Sequence, residues 1–404
     1  IPVSTPRFRS FSPALQRFFV ATTVNAIGSA ALFGFVLIYF HEIRHIPLDR
    51  AGFAVGAMSF TMVLLTPVAG SLSDRFGARR ALTAGCLVSI VAGCLYSAVD
   101  SFAAALGVSV LLGVGNALWF PAQAALMALI VTPEQRPAVS AFQRASLNLG
   151  AALGGVLGGF VVQNESLRSF QVLFGINVAT YLVFLAALPA LPPGRVERTH
   201  EHRPGFATVL RDEFFVRLLV TDVAIALGFG FLFAFMPAYA SALGVGKAMI
   251  GVLFTFGAAS VVATQIPTLR WVRGRERMRS LALMNTWFAA AFALMLLTPH
   301  VAIGVAIVLI AAGQVLGGFG EAVLGAVRQP LTSDLAPPQL VGRYFGLSTM
   351  VFQGCMGLAN TVGGIVMDRS LSLVWAIPLV ASVAGVAGSL ALRRRIPAHI
   401  ALSA

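Results

Sequence analysis

Gly70-Ser71-Leu72-Ser73-Asp74-Arg75-Phe76-Gly77-Ala78-Arg79-Arg80 sets one acid and three arginines between two stretches apolar enough to span a bilayer. The flanking runs, 51–71 and 81–99, are close to the roughly 20 residues that cross about 30 Å of hydrocarbon. The sequence reads as a tight charged turn joining two membrane helices. Gly70 and Gly77 are the residues expected to permit the turn and the close approach of the helices.

The rest of the chain agrees with a lipid environment. Of 404 residues, 58% are hydrophobic and 11% charged, against about 25% charged in a soluble domain. Mean hydropathy is +0.86, so too much apolar surface is present to hide in a water-soluble core. The 40 glycines and 31 phenylalanines suit helices that pack closely and face lipid. Twelve apolar spans are expected at 15–40, 51–71, 81–99, 102–130, 138–162, 170–191, 215–240, 248–267, 280–298, 301–327, 344–367 and 372–392. No removable signal peptide is expected, because no short apolar run with a cleavage site precedes the first span.

Arginine placement gives these spans a direction. With an even number of crossings, one face collects Arg7, Arg9 and Arg17, the signature arginines Arg75, Arg79 and Arg80, then Arg136, Arg195 to Arg217, Arg270 to Arg279, Arg343 and Arg393 to Arg395. The opposite face holds only Arg44, Arg50, Arg168, Lys247 and Arg369. Positive charge accumulates on the cytoplasmic side of membrane proteins, so both termini are expected in the cytosol. The formal charge of +13 is then a topology signal, and no soluble domain is available to present it to nucleic acid. Cys86, Cys94 and Cys355 all fall within spans and form no disulfide framework.

The stretch opened by Pro192-Pro193-Gly194-Arg195 is the long polar interruption. It divides the chain into 1–191, a cytoplasmic linker 192–212, and 213–404, each half carrying six spans. Overlaying the halves so that Gly77 meets Gly274 also brings Leu72 onto Leu269 and Arg80 onto Arg277, with Trp271 at the Asp74 position. The halves are expected to be parallel repeats about an axis along the membrane normal.

The signature stretch resembles the loop between the second and third membrane helices of the major facilitator superfamily, G-x-L-x-D-R-x-G-R-R, and the pattern of spans extends the resemblance over nearly the whole chain. It implies an all-α membrane protein with twelve helices in two pseudo-symmetric six-helix bundles and a substrate site between them near the midplane. It also implies that Gly70, Asp74, Arg75, Gly77, Arg79 and Arg80 form a gating cluster on the inner face, where the alternative is a plain topology anchor. Two further patterns are similar to drug-exporting branches. On span five, Gly150, Gly154 and Gly158 match the family's glycines and make a flat stripe for helix packing, with Gly155 in place of the family's proline. On span four, Ser109 stands where exporters carry an arginine implicated in proton coupling.

All six histidines fall in loops or tails, so a proton carrier within the membrane must be a carboxylate. Asp222 and Glu321 are the clear intramembrane candidates, and ionisable groups in lipid are functional sites by default. Gln314, Glu321 and Arg328 recur at about seven residues, close to two helical turns, and so line one face of span ten over about 21 Å. The resemblance places that face on the central cavity. Arg328 either neutralises Glu321 as a structural couple or helps close the inner gate. Asp222 overlays Asn25 of span one, a paired cavity position. Phe229 and Phe233 follow it down span seven, and aromatics with a few polar groups suit an amphiphilic ligand. Asn116 is a further cavity candidate. No cofactor is expected, and His41 with His45 is too small a set for a metal site.

The expected function is export of small lipophilic or cationic molecules by proton-coupled alternating access, from a bacterial inner membrane, by a monomer in contact with lipid and not with nucleic acid. Uptake of a small organic nutrient by symport or uniport is the alternative that Ser109 and Gly155 leave open. An enzyme is not expected.

Overall fold

The computed structural model describes residues 11–131, 136–191, 206–337 and 340–403. Most of the expected linker, 192–205, and the arginines before residue 11 lie outside the described residues. What is described is almost entirely helical. Twelve long helical segments follow one another. They are α1 (Pro13–Ile38), α2 (Leu48–Phe76), α3 (Ala78–Tyr96), α4 (Phe102–Ile130), α5 (Arg136–Val161) and α6 (Leu167–Ala187). Then come α7 (Glu213–Gly230, prolonged through a π-helical turn, Phe231–Phe235, into Met236–Ala242), α8 (Lys247–Val272), α9 (Arg277–Leu297), α10 (Ile303–Leu335), α11 (Val341–Arg369) and α12 (Leu373–Leu392). Ten of these are long and apolar enough to cross a membrane by length and composition alone. In α5, glycine, Arg144 and Asn148 dilute the hydropathy.

Side chains set the helix starts. Ser12 precedes Pro13, and its Oγ accepts from the Leu15 N–H at 3.3 Å. Asp212 does the same for α7, with Oδ1 accepting from Phe215 N–H at 3.0 Å. Each bond satisfies one of the donors left over at a helix N-terminus. The free Asp212 oxygen accepts from the Tyr344 hydroxyl at 2.8 Å, joining α7 to α11.

The chain forms two compact units. Unit 1 is Ile1–Pro47, Ala57–Arg198 and Gly246–Thr255, and unit 2 is Leu48–Gly56, Thr199–Val245 and Phe256–Ala404. The units thus follow the two halves of the sequence, except that the opening turns of α2 and α8 are exchanged. Within unit 1, α1 packs on α5 and α6, and α3 on α4 and α6. Within unit 2, α7 packs on α11 and α12, and α9 on α10 and α12, the same pairings six helices later.

Small devices repeat with them. Gly77 closes α2 at φ 93°, and Gly274, at its overlaid position, has φ 69°; the left-handed region is open to glycine at little cost. Tyr39, at the end of α1, donates to the Tyr96 carbonyl at the end of α3, 2.7 Å away. Tyr239, at the end of α7, donates to the Met295 carbonyl near the end of α9 at 3.2 Å. Each ring meets a buried aromatic edge-on: Phe174 at 4.8 Å in unit 1 and Trp375 at 5.1 Å in unit 2.

The signature turn is narrower than the sequence suggests. Residues 70–76 belong to the last turns of α2, and Ala78 already opens α3, so Gly77 alone makes the turn. A Cβ on Gly70 would meet nothing within 4 Å, which removes the expected role of Gly70 in turning the chain or bringing helices together. The second-half counterpart of this turn is held by the C-terminal segment. Gly274 N–H donates to the Ser403 carbonyl at 2.8 Å, Ser403 N–H to the Arg275 carbonyl at 2.9 Å, and Arg277 N–H to the Ala401 carbonyl at 3.0 Å. Arg393 reaches the same loop, with Nε and Nη2 on the Glu276 carboxylate at 2.5 and 3.1 Å. These bonds hold Glu276 below the ordinary carboxylate range.

Gly150, Gly154 and Gly158 lie against α1. Cβ atoms there would sit 2.3 Å from Ala26 Cβ, 2.3 Å from the Ile27 carbonyl oxygen and 2.8 Å from the Phe35 ring. Gly154→Leu is therefore expected to lower the apparent melting temperature of the purified protein, at the ~1–3 kcal/mol scale of an overpacked site. Gly70→Ala in the same assay is expected to leave it unchanged or raised. A melting temperature indifferent to Gly154→Leu would show that the stripe is not a packing surface.

Candidate functional site

Among the described residues, two arginines of unit 2 are buried against a carboxylate: Arg277, which pairs with Asp334 at 2.6 Å, and Arg328 of α10, which lies well inside its helix. Arg328 is 6% exposed, and a guanidinium taken out of water needs an opposite charge and hydrogen bonds. Asp222, on the third turn of α7, supplies both. Arg328 Nε donates to Asp222 Oδ1 at 2.8 Å and Oδ2 at 3.0 Å, and Nη2 also reaches Oδ2. The two side chains are 8% and 13% exposed. Arg328 Nη1 donates to Thr332 Oγ1, one turn further on, and Thr332 returns a bond to the Arg328 carbonyl at 3.0 Å. A fork-shaped donor on a carboxylate fixes both position and orientation. This pair is the junction of α7 with α10, and the spacing on span ten alone did not indicate it, because Asp222 lies on another helix.

The other span-ten residues lie above it. Glu321 is half-buried, and Gln314 is 4% exposed with an Oε1 that has no hydrogen-bond partner. Gln314 faces α8, where Gly257 leaves room beside its side chain. Phe229 is held edge-on by Phe288 of α9 at 6.0 Å and Phe352 of α11 at 5.8 Å. The Phe233 side chain lies outside the described residues. Its backbone belongs to the π-helical turn of α7, a feature that recurs at Tyr39–Ile43 after α1. Such turns shift the register of a helix and are frequent at functional sites, yet no residue pattern marks them.

In unit 1, Asn25 of α1 is 7% exposed and its Nδ2 has no partner. Asn116 of α4 is half-buried and donates to Met58 Sδ at 3.7 Å. Around the signature turn, the Asp74 side chain lies outside the described residues. Arg75 is exposed and stands over the Phe76 ring at 5.4 Å. Arg79 donates to the Leu191 carbonyl at 2.7 Å, tying the start of α3 to the chain leaving α6. Arg80 is exposed. Among the described residues, no group of three or more His, Cys, Asp and Glu could hold a metal ion; His41 Nδ1 is engaged by the Ile46 carbonyl at 3.1 Å.

The sequence missed one cluster in unit 1. Lys247, the chain's only lysine, opens α8 and is 4% exposed. Its Nζ lies 2.6 Å from Glu42 Oε2 and 3.6 Å from Glu165 Oε1. Close by, Gly155 and Gly159 of α5 meet Gly251 of α8, the latter pair so closely that a Cβ on Gly159 would be 2.9 Å from the Gly251 Cα. A single lysine among so many arginines was the available signal. A compact ammonium fits between two carboxylates where a planar fork would not.

Breaking the Asp222–Arg328 pair from one side leaves a buried charge alone. Asp222→Ala is expected to cost ~3–5 kcal/mol, whereas the double change Asp222→Leu with Arg328→Met recovers most of that loss. Thermal unfolding of the three purified proteins measures this; equal melting temperatures for the single and double variants would show that the pair is not coupled.

The comparisons with known proteins follow this geometry. The model of the Major Facilitator Superfamily matches residues 18–313 and again 218–403. An uncharacterised transporter of that type, YqjV of Bacillus subtilis (strain 168), is 25% identical over 90% of this chain and 88% of its own. Multidrug resistance protein 1 of the same organism is 24% identical over 89% and 90% of the two chains. Multidrug resistance protein MdtH of Cronobacter sakazakii is 25% identical over 86% and 85%. Among solved structures, a mutant of the nucleoside transporter NupG shares the fold with a TM-score of 0.76 at 12% identity, covering 94% of this chain and 99% of that one. The chain is an integral membrane protein that belongs to the Major Facilitator Superfamily, a family of membrane transporters of small molecules.

Proposed function

We propose that this transporter exports small lipophilic or cationic organic molecules, driven by protons through alternating access. The observation that carries the reading is the buried ion pair between Asp222 of α7 and Arg328 of α10, with Glu321 two turns along the same helix as Arg328. A membrane interior keeps ionisable groups where charge must be moved or bound. Glu321, a half-buried carboxylate two turns from Arg328 on α10, is assigned as the residue that takes a proton on one side and yields it on the other, and the Asp222–Arg328 pair as the neighbouring charge that senses the change. A cationic substrate and a proton compete for the same carboxylate, which couples their opposite movements.

Asn25, Asn116, Gln314 and the aromatic group of Phe229 and Phe233 are assigned to the substrate cavity. Apolar rings with a few polar groups suit ligands of varied shape. The multidrug resistance relatives support this substrate class. Asp74, Arg75, Gly77, Arg79 and Arg80 are assigned to the gate, with Arg79 as its anchor to the end of α6. The two six-helix halves, 1–191 and 213–404, are the moving bodies, joined through 192–212. The protein works as a monomer in a bacterial inner membrane with both termini in the cytosol, as the arginine distribution supports.

The second reading is uptake of an organic nutrient. Ser109 at the exporter arginine position and Gly155 in place of the exporter proline favour it.

Proteoliposomes with an imposed pH gradient separate the two. With export, ethidium moves against the proton flow, and Glu321→Gln with Asp222→Asn lowers pH-driven flux at least tenfold. Intact pH-driven flux in that double variant would end the proposed coupling. Movement of substrate together with protons would establish uptake.

A further inference from the structure

The arginine-rich end of unit 2 carries a cavity that the transport reading does not use. It has a volume of about 790 Å³ and is lined by Arg217, Leu390, Ala391, Leu392, Arg394 and Arg395. Arg217 stands on the second turn of α7, Leu390 to Leu392 close α12, and Arg394 and Arg395 lie in the turn that follows it. Arg217 makes an ion pair with Glu213, an exposed carboxylate one turn before it. Arg394 and Arg395 are exposed, and among the described residues neither has an acidic partner. Arg393 beside them is taken by Glu276. Three guanidinium groups therefore share the cavity with one solvated carboxylate, an unbalanced charge that calls for an anion. The planar fork of arginine matches phosphate oxygens two at a time.

The wall above the cavity distinguishes one source of phosphate from another. Val220 follows Arg217 by three residues and so stands over it on the same face of α7, and Leu390, in the last turn of α12, lines the cavity itself. Both are exposed, at 68% and 46%. Between them the helices close tightly: Cβ atoms on Gly388 and Gly385 would lie 2.8 Å from Thr221 Cγ2 and 3.1 Å from Ala224 Cβ. The seam is thus an exposed apolar surface that ends in a cationic mouth. An inorganic phosphate uses only the mouth. A lipid with a phosphate-bearing anionic headgroup uses both parts, with its acyl chains along Val220 and Leu390.

We infer that the cavity between the start of α7 and the end of α12 binds the headgroup of an anionic phospholipid. Basic pockets between membrane helices on the cytoplasmic side are suited to such headgroups. The site lies on the helix that carries Asp222, so an occupied mouth fixes the position of α7 against α12 from below.

The test uses the full-length protein in an uncharged detergent. Dioleoylphosphatidylglycerol, dioleoylphosphatidylcholine and inorganic phosphate are titrated separately, with bound lipid counted by native mass spectrometry and stability followed by thermal unfolding. Saturable binding of phosphatidylglycerol at least tenfold tighter than phosphatidylcholine is expected, undisturbed by inorganic phosphate. R394Q/R395Q loses that preference, R394K/R395K largely keeps it, and R270Q/R273Q, which removes the same charge elsewhere on that face, retains it in full. R217Q leaves the chain's end untouched and weakens phosphatidylglycerol in the same direction. Equal affinity for the two lipids, equal losses in R394Q/R395Q and R270Q/R273Q, or displacement of the lipid by inorganic phosphate would overturn the assignment.

Discussion

The cost of placing charge in hydrocarbon governs this molecule at every level. An isolated ion at the centre of a bilayer costs several kcal/mol or more, and an unpaired buried one is similarly expensive inside a protein. Each charged side chain must therefore reach a membrane face or find a partner on another helix. Most of the described arginines lie at helix ends or between helices. Arg328 does not. Its partner Asp222 joins α10 to α7 through two bonds of 2.8 and 3.0 Å, and that requirement fixes two helices of unit 2 as firmly as any packing contact. Lys247 meets the same demand in unit 1 by standing between Glu42 and Glu165.

Around these charges, the two repeats keep the same architecture with different chemistry. The helix pairings recur, as do the left-handed glycines Gly77 and Gly274 and the tyrosines Tyr39 and Tyr239 that close the far ends of the bundles. What differs is where ionisable groups fall. Asn25 in the first repeat overlays Asp222 in the second, so a neutral amide stands in one copy where the other has a carboxylate. The loop after α8 lacks the acid of the signature stretch, with Trp271 in its place. Glu276 and the C-terminal segment take over there, holding the loop by backbone bonds and by Arg393. The repeated geometry thus carries unequal charge in its two copies.

The fold was legible because its signals are local and repeated. Apolar length, arginine bias and the Gly77 turn each follow from a stretch of chain read alone. The candidate site was legible only in part. Asp222, Glu321 and Arg328 stand out as charges within apolar runs, but their pairing depends on which helices adjoin, and one helix's periodicity does not report its neighbour. The π-helical turns were invisible because they shift register without a distinctive composition. Gly70 was misread because a glycine before a charged cluster resembles a turn, whereas the helix continues through it until Gly77, where φ is positive. The Lys247 cluster gathers residues from three separated segments, so only its rarity as the lone lysine marked it.

The orientation proposed above puts the arginine-rich face in the cytosol. Cysteines introduced singly at His45 and Arg394, both exposed, in a chain with Cys86, Cys94 and Cys355 replaced by serine, report the faces directly. The account requires His45→Cys to react with a membrane-impermeant maleimide in intact cells and Arg394→Cys to react only after permeabilisation. The reverse pattern would contradict it.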